Sequence, residues 1–184
     1  MNSTERFRSG LSEHEIEVLL RRFGVYDMFL GCFTVYNLPG NVRDLVVKKG
    51  LSPKDPFCLI FNTMTSPTEG EHWIAVWGLC YTEEGYSYAE YFDPTGIKPG
   101  LQPRTTKFLE QFAMYEFNTK TVQDPTDMTS TACGYHCIWW LLNKWTAPFI
   151  TFDHIVNMYP NSGHNLKDND LYVIGMIEND LKTY

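Results

Sequence analysis

The chain has 184 residues, 43 % of them apolar and 15 % aromatic, and a formal charge of −7. That size and composition give one domain, spanning 1–184, with a sizeable core, and they exclude a disordered chain. The acidic balance argues against strong nucleic-acid binding, and without 18 uninterrupted apolar residues or a signal-peptide core no membrane span is expected.

Ser12 to Glu15 form a capping box ahead of Ile16, Leu19, Leu20 and Phe23, with Gly24 as a stop, which predicts a short amphipathic helix. Met28 to Phe33 is an apolar segment leading into irregular chain at Leu38, Pro39 and Gly40. A second helix is expected from Val42 to Lys49, closed by Gly50, in the most basic stretch of the sequence. Phe57 to Asn62 reads as a buried strand after Pro56. His72 to Tyr81 is apolar on both faces, as a central strand is. A turn at 82–85 returns the chain through Tyr86 to Asp93, completing a hairpin. Thr106 to Phe117 reads as a helix with Phe108, Leu109, Phe112 and Tyr115 on one side, and Asn118 to Val122 as a further strand. Two helices, Thr151 to Met158 and Asp168 to Lys182, are expected at the end of the chain.

The segment from Thr129 to Trp140 carries the strongest chemical signal. Small hydroxyl residues precede Cys133 and Gly134, and Cys137, Ile138, Trp140, Leu141 and Trp145 then recur at helical spacing. Ser130 or Thr131 is placed to cap this helix, which puts Cys133 in its first turn. There the unpaired N–H groups and the helix dipole favour a thiolate. Gly134 beside it allows close approach of a substrate backbone.

Hairpin geometry supplies a partner. If Tyr81 faces Tyr86, Asp93 falls opposite Ile74 and becomes a diagonal neighbour of His72, about 7–8 Å away on the same face. Asp93 then holds the His72 tautomer, and His72 activates Cys133. Gln123 can add a side-chain N–H to the Cys133 backbone N–H as an oxyanion hole, and Trp73 can shield the imidazole. No metal is expected: His136 and Cys137 lack a second ligand pair at zinc spacing. Five cysteines, an odd number without disulfide-framework spacing, fit a reducing, intracellular setting.

The ordered set His72-Trp73, Phe92-Asp93-Pro94, Val122-Gln123 with Pro125, and Ala132-Cys133-Gly134 resembles the adenain-like cysteine endopeptidases, which include adenovirus-type and virophage maturation proteases within the ubiquitin-like-protease superfamily. Phe29 to Gly31 with Pro39-Gly40 resembles that family's substrate-groove segment. The resemblance implies an α+β fold with a mixed, largely antiparallel central sheet packed on the helix that carries the nucleophile. It implies Cys133, His72, Asp93 and Gln123 as catalytic residues, with Gly31, Trp73 and Gly134 at the substrate. It further implies cleavage of capsid or core precursors at small-residue, Gly-Gly-type sites, in the infected cell and inside the virion, with no cofactor. Adenovirus enzymes join an activating peptide through a cysteine upstream of the Gln; this chain has none between Cys80 and Cys133, so no disulfide-linked activator is expected. A ubiquitin-like-protein deconjugase and a YopJ-type acetyltransferase are the alternatives that use the same residue set.

Overall fold

The structure is a computed structural model that describes residues 10–63, 72–81, 85–124, 132–160 and 165–182. Helix α1 (Glu13–Arg22) starts as the sequence dictates: Ser12 Oγ accepts from the Glu15 N–H, and the Glu15 carboxylate accepts from the Ser12 N–H. Strand β1 (Phe29–Thr34), helix α2 (Val42–Lys48) and strand β2 (Pro56–Asn62) follow. Strands β3 (Trp73–Leu79) and β4 (Tyr88–Phe92) make the hairpin. Helix α3 (Pro103–Leu109), strand β5 (Met114–Phe117) and helices α4 (Cys133–Thr146), α5 (Phe152–Asn157) and α6 (Leu166–Lys182) complete the order.

The five strands lie in the order β1-β2-β3-β4-β5, with β2, β3 and β4 antiparallel and the two edge strands parallel to their neighbours. The sheet is therefore mixed, as expected, with its antiparallel part in the middle. Alternation splits each central strand between two cores. Cys58, Ile60, Trp73, Ala75, Trp77 and Phe92 face α1, α4, α5 and α6. Phe57, Leu59, Phe61, Ile74, Val76 and Tyr91 face α2 and α3. Burial on both faces explains why β2 and β3 read as continuous apolar runs.

Two expectations need correction, and one segment that the sequence left unassigned takes a definite form. The helix expected over 106–117 ends at Leu109, and Met114 to Phe117 pair with β4 instead of winding on; the strand expected at 118–122 is thus displaced towards the N-terminus. Tertiary pairing at the sheet edge overrides the local 3.6-residue pattern, and Tyr115 is exposed as a result. The segment Phe29–Thr34 is a strand. Its alternation is hidden by a bulge at Gly31, where φ is +137°, a conformation that L side chains rarely adopt. Trp145 is 41 % exposed, and the helix buries Lys144 in its place.

Candidate active site

Three of the four sequence-predicted catalytic residues meet at one end of the sheet. His72 immediately precedes β3, Asp93 immediately follows β4, and Cys133 opens α4. The hairpin register is the one expected, with Ala75 opposite Phe92 and Leu79 opposite Tyr88. His72 Nε2 lies 2.9 Å from Asp93 Oδ1, and the His72 ring is also hydrogen-bonded to Cys133. With Nε2 on the carboxylate, Nδ1 is the ring nitrogen left to face the sulfur.

Asp93 is buried and held from several directions. Its Oδ1 accepts from the Thr95 N–H at 2.8 Å and from Thr95 Oγ1 at 2.6 Å. The Asn118 side chain accepts from the Asp93 N–H and donates to the Asp93 carbonyl. Asp93-Pro94-Thr95-Gly96 closes as a turn, with the Gly96 N–H donating to the Asp93 carbonyl at 2.8 Å. The Asp-Pro-x-Gly sequence is a turn signal in its own right, and it would have marked Thr95 as a support. Asn118, far along the chain, carries no such signal.

Burial lowers the His72 pKa, but the hydrogen bonds and charges of Asp93 and Cys133 outweigh it and raise the value from 6.5 to about 10. The side chain keeps a quarter of its surface exposed, so the imidazole is both sheltered and reachable. The other thiols are poor nucleophile candidates: burial pushes Cys32 up to about 12 and raises Cys58, Cys80 and Cys137. None of the five cysteines is in a disulfide.

The N-cap of α4 is Ala132, which has no polar side chain to cap it, in place of the Ser130 or Thr131 cap expected from the sequence; those two residues lie outside the described residues. A stack of Phe92, Trp140 and Phe152, with ring centroids 5.1 and 5.5 Å apart, binds the end of β4 to α4 and α5. A buried ion pair joins the same elements lower down: Lys144 Nζ is 2.7 Å from Glu90 Oε1 and also donates to the Ile150 carbonyl.

Gln123 is buried next to the Asp93 turn, and both its N–H and that of Val122 donate to the Pro94 carbonyl. Trp73 points into the core, its indole N–H donating to the Leu11 carbonyl at 2.8 Å. Gly134 is buried against it: an added Cβ would lie 3.2 Å from Leu11 and 3.3 Å from the indole. The structure thus gives Trp73 and Gly134 a packing position between α4 and β3 and leaves them no surface towards a substrate. Gly31 is half-buried on the edge strand β1. Both His136 ring nitrogens are engaged, by Tyr159 and Asp170, and the Cys137 thiol donates to the Trp73 carbonyl. Among the described residues there is no group of ligands arranged for a metal, and no helix is long and apolar enough to cross a membrane.

With this geometry in view, comparison with known proteins is specific. The chain is 27 % identical over 145 residues to a protease of human adenovirus B serotype 3, and 29 % identical over 144 residues to a protease of bovine adenovirus 2. Each match covers 72 % of this chain and 62 % of the relative. In sequence the chain is thus similar to adenovirus proteases. It spans less than two thirds of the length of those adenovirus relatives. Its fold is similar to that of the ASFV pS273R protease, with a TM-score of 0.60 at 15 % identity over 90 % of this chain and 67 % of that one. The selenomethionine form of the same protease gives 0.54 at 17 % identity with the same coverage. No protein-family model matches the chain.

Proposed function

We propose that this chain is a cysteine endopeptidase that processes viral precursor proteins. The observation that carries the reading is His72, bonded on one side to the buried Asp93 carboxylate and on the other to Cys133. An orienting acid, a base and a thiol at a helix start form the constellation that acyl transfer requires.

In this reading the Cys133 thiolate attacks the scissile carbonyl carbon, and the C=O electron pair moves onto oxygen. The Gln123 side chain and the Cys133 N–H stabilise that oxyanion. His72 gives its proton to the leaving amine, the C–N bond breaks, and a thioester remains. Water then attacks the thioester while His72 takes its proton, and the acid product leaves with Cys133 restored as thiolate. Asp93 keeps the ring oriented and stabilises the imidazolium throughout.

The substrates proposed are capsid or core precursors cut at small-residue, Gly-Gly-type sites during virion maturation, in the infected cell and the virion interior. The adenovirus relatives support a viral setting. Gly31, at the bulge of the edge strand, is the substrate-groove residue in this reading; no cofactor or metal enters it.

The test is alkylation and cleavage with the reduced protein. Cys133 is expected to alkylate fastest of the five cysteines near neutral pH, and Cys133→Ala to abolish peptide cleavage with the urea midpoint kept. A Cys133→Ala protein that still cleaves would overturn the reading. Cleavage confined to folded ubiquitin-like substrates, or acetyl transfer from acetyl-CoA, would replace it with one of the alternatives.

A further inference from the structure

Two consecutive buried polar residues of α6 reach two different parts of the candidate site. Asn169 Nδ2 donates to the Val122 carbonyl at 3.0 Å. That carbonyl belongs to the peptide unit whose N–H, on Gln123, donates to Pro94 beside Asp93. The plane carrying Gln123 is therefore gripped from both sides, by α6 and by the Asp93 turn. The next residue, Asp170, accepts from His136 Nε2 at 2.8 Å, and the other ring nitrogen, Nδ1, meets the Tyr159 hydroxyl at 2.9 Å. His136 is fully buried, one turn into α4 from Cys133, and its N–H donates to the Ala132 carbonyl. Burial lowers its pKa against the pull of Asp170, so the neutral ring donates to the carboxylate and accepts from the tyrosine.

Apolar side chains at these positions would pack α6 against the core without desolvating any polar group. Instead the helix spends two adjacent polar residues, each on a different catalytic segment. We propose that Asn169 and Asp170 are positioning residues: Asn169 fixes Gln123, and Asp170, acting through His136, fixes the first turn of the Cys133 helix. The bracket sets the separation of oxyanion donor and nucleophile, a distance on which rate depends steeply. This rests on the thiol-protease reading above.

The test uses the full chain with a cleavable peptide, iodoacetamide alkylation of Cys133 and urea unfolding. Asn169→Ala is expected to lower kcat about 10- to 100-fold, with KM and the alkylation rate little changed. Introduced into a Gln123→Ala background, the same change should cost about twofold or less, because the group it positions is gone. Asp170→Ala is expected to lower both kcat and Cys133 alkylation, and Asp170→Asn, which still accepts from His136, to recover most of both. Equal losses from Asn169→Ala in the two backgrounds overturn the proposal alone. So does failure of both Asn169→Ala and the similarly sized, uncharged Asn169→Leu to fold, since the bracket would then serve the fold at large. Wild-type kcat in Gln123→Ala by itself overturns the oxyanion reading, and this proposal with it.

Discussion

At the scale of single residues, the proposed mechanism turns on His72, and its protonation gives a direct check. Folding raises its pKa, so protonated His72 favours the folded chain: that stability is whole below pH 6.5 and is lost as pH climbs through about 10. Asp93→Asn removes the carboxylate that holds the value up. An NMR titration of the His72 ring is expected to show a lower pKa in this variant, and the alkaline limb of kcat/KM to move down in pH with it. The wild-type rate should fall by about 10²–10⁴ in kcat, with a smaller change in KM, and Asp93→Glu should retain part of the activity. A variant with an unshifted ring titration would remove Asp93 from its orienting role. His72, Asp93 and Cys133 were legible because hairpin register and a helix start are local arithmetic. The supports were not: Asn118 bonds Asp93 from 25 residues away, and Asn169 bonds Val122 from 47. Sequence spacing says nothing about such pairs before the fold is known.

The elements were legible where pattern and partner agree. The capping box and the hairpin follow from local chemistry, whereas β1 and β5 are strands because a neighbour pairs with them. On α4 the apolar rhythm pointed to Trp145, yet Lys144 is buried, between Glu90 and the Trp77 ring 4.5 Å away. Burial pushes Glu90 up and Lys144 down, each towards neutrality, and their mutual attraction opposes this. Such a pair adds little over an apolar one, but half of it is expensive to leave behind. Glu90→Leu is therefore expected to destabilise the fold by about 3–5 kcal/mol, read as a lower urea midpoint. Glu90→Leu with Lys144→Met should regain most of that loss. A double variant no more stable than the single would mean that the ion pair itself, and not relief of a stranded charge, holds α4 to β4.

For the whole molecule the question is how charge bears on activity. Residues 55–93 contain seven acidic side chains and no Lys or Arg. The structure turns two of these inward, Glu90 onto Lys144 and Asp93 onto His72, and four of the others, Glu69, Glu71, Glu83 and Glu84, lie outside the described residues. The basic side chains of α2 and α3, Arg43, Lys48, Arg104 and Lys107, belong to helices covering the opposite sheet face from α4. Two of them already lie over tyrosines, Arg43 on Tyr81 at 5.2 Å and Arg104 on Tyr36 at 4.6 Å. A polyanion drawn to that face would sit across the sheet from Cys133, and a net charge of −7 leaves few contacts for counterion release elsewhere. Activity is therefore expected to need neither DNA nor a disulfide-linked peptide, since no cysteine lies between Cys80 and Cys133 to anchor one. Basic or neutral peptides should be cleaved better than acidic ones, and that preference should shrink as salt rises. The measurement is peptide cleavage by the reduced protein at low salt, with and without duplex DNA. Stimulation of about tenfold or more by DNA, suppressed by salt in the manner of counterion release, would show that the basic face of α2 and α3 communicates with the site across the sheet.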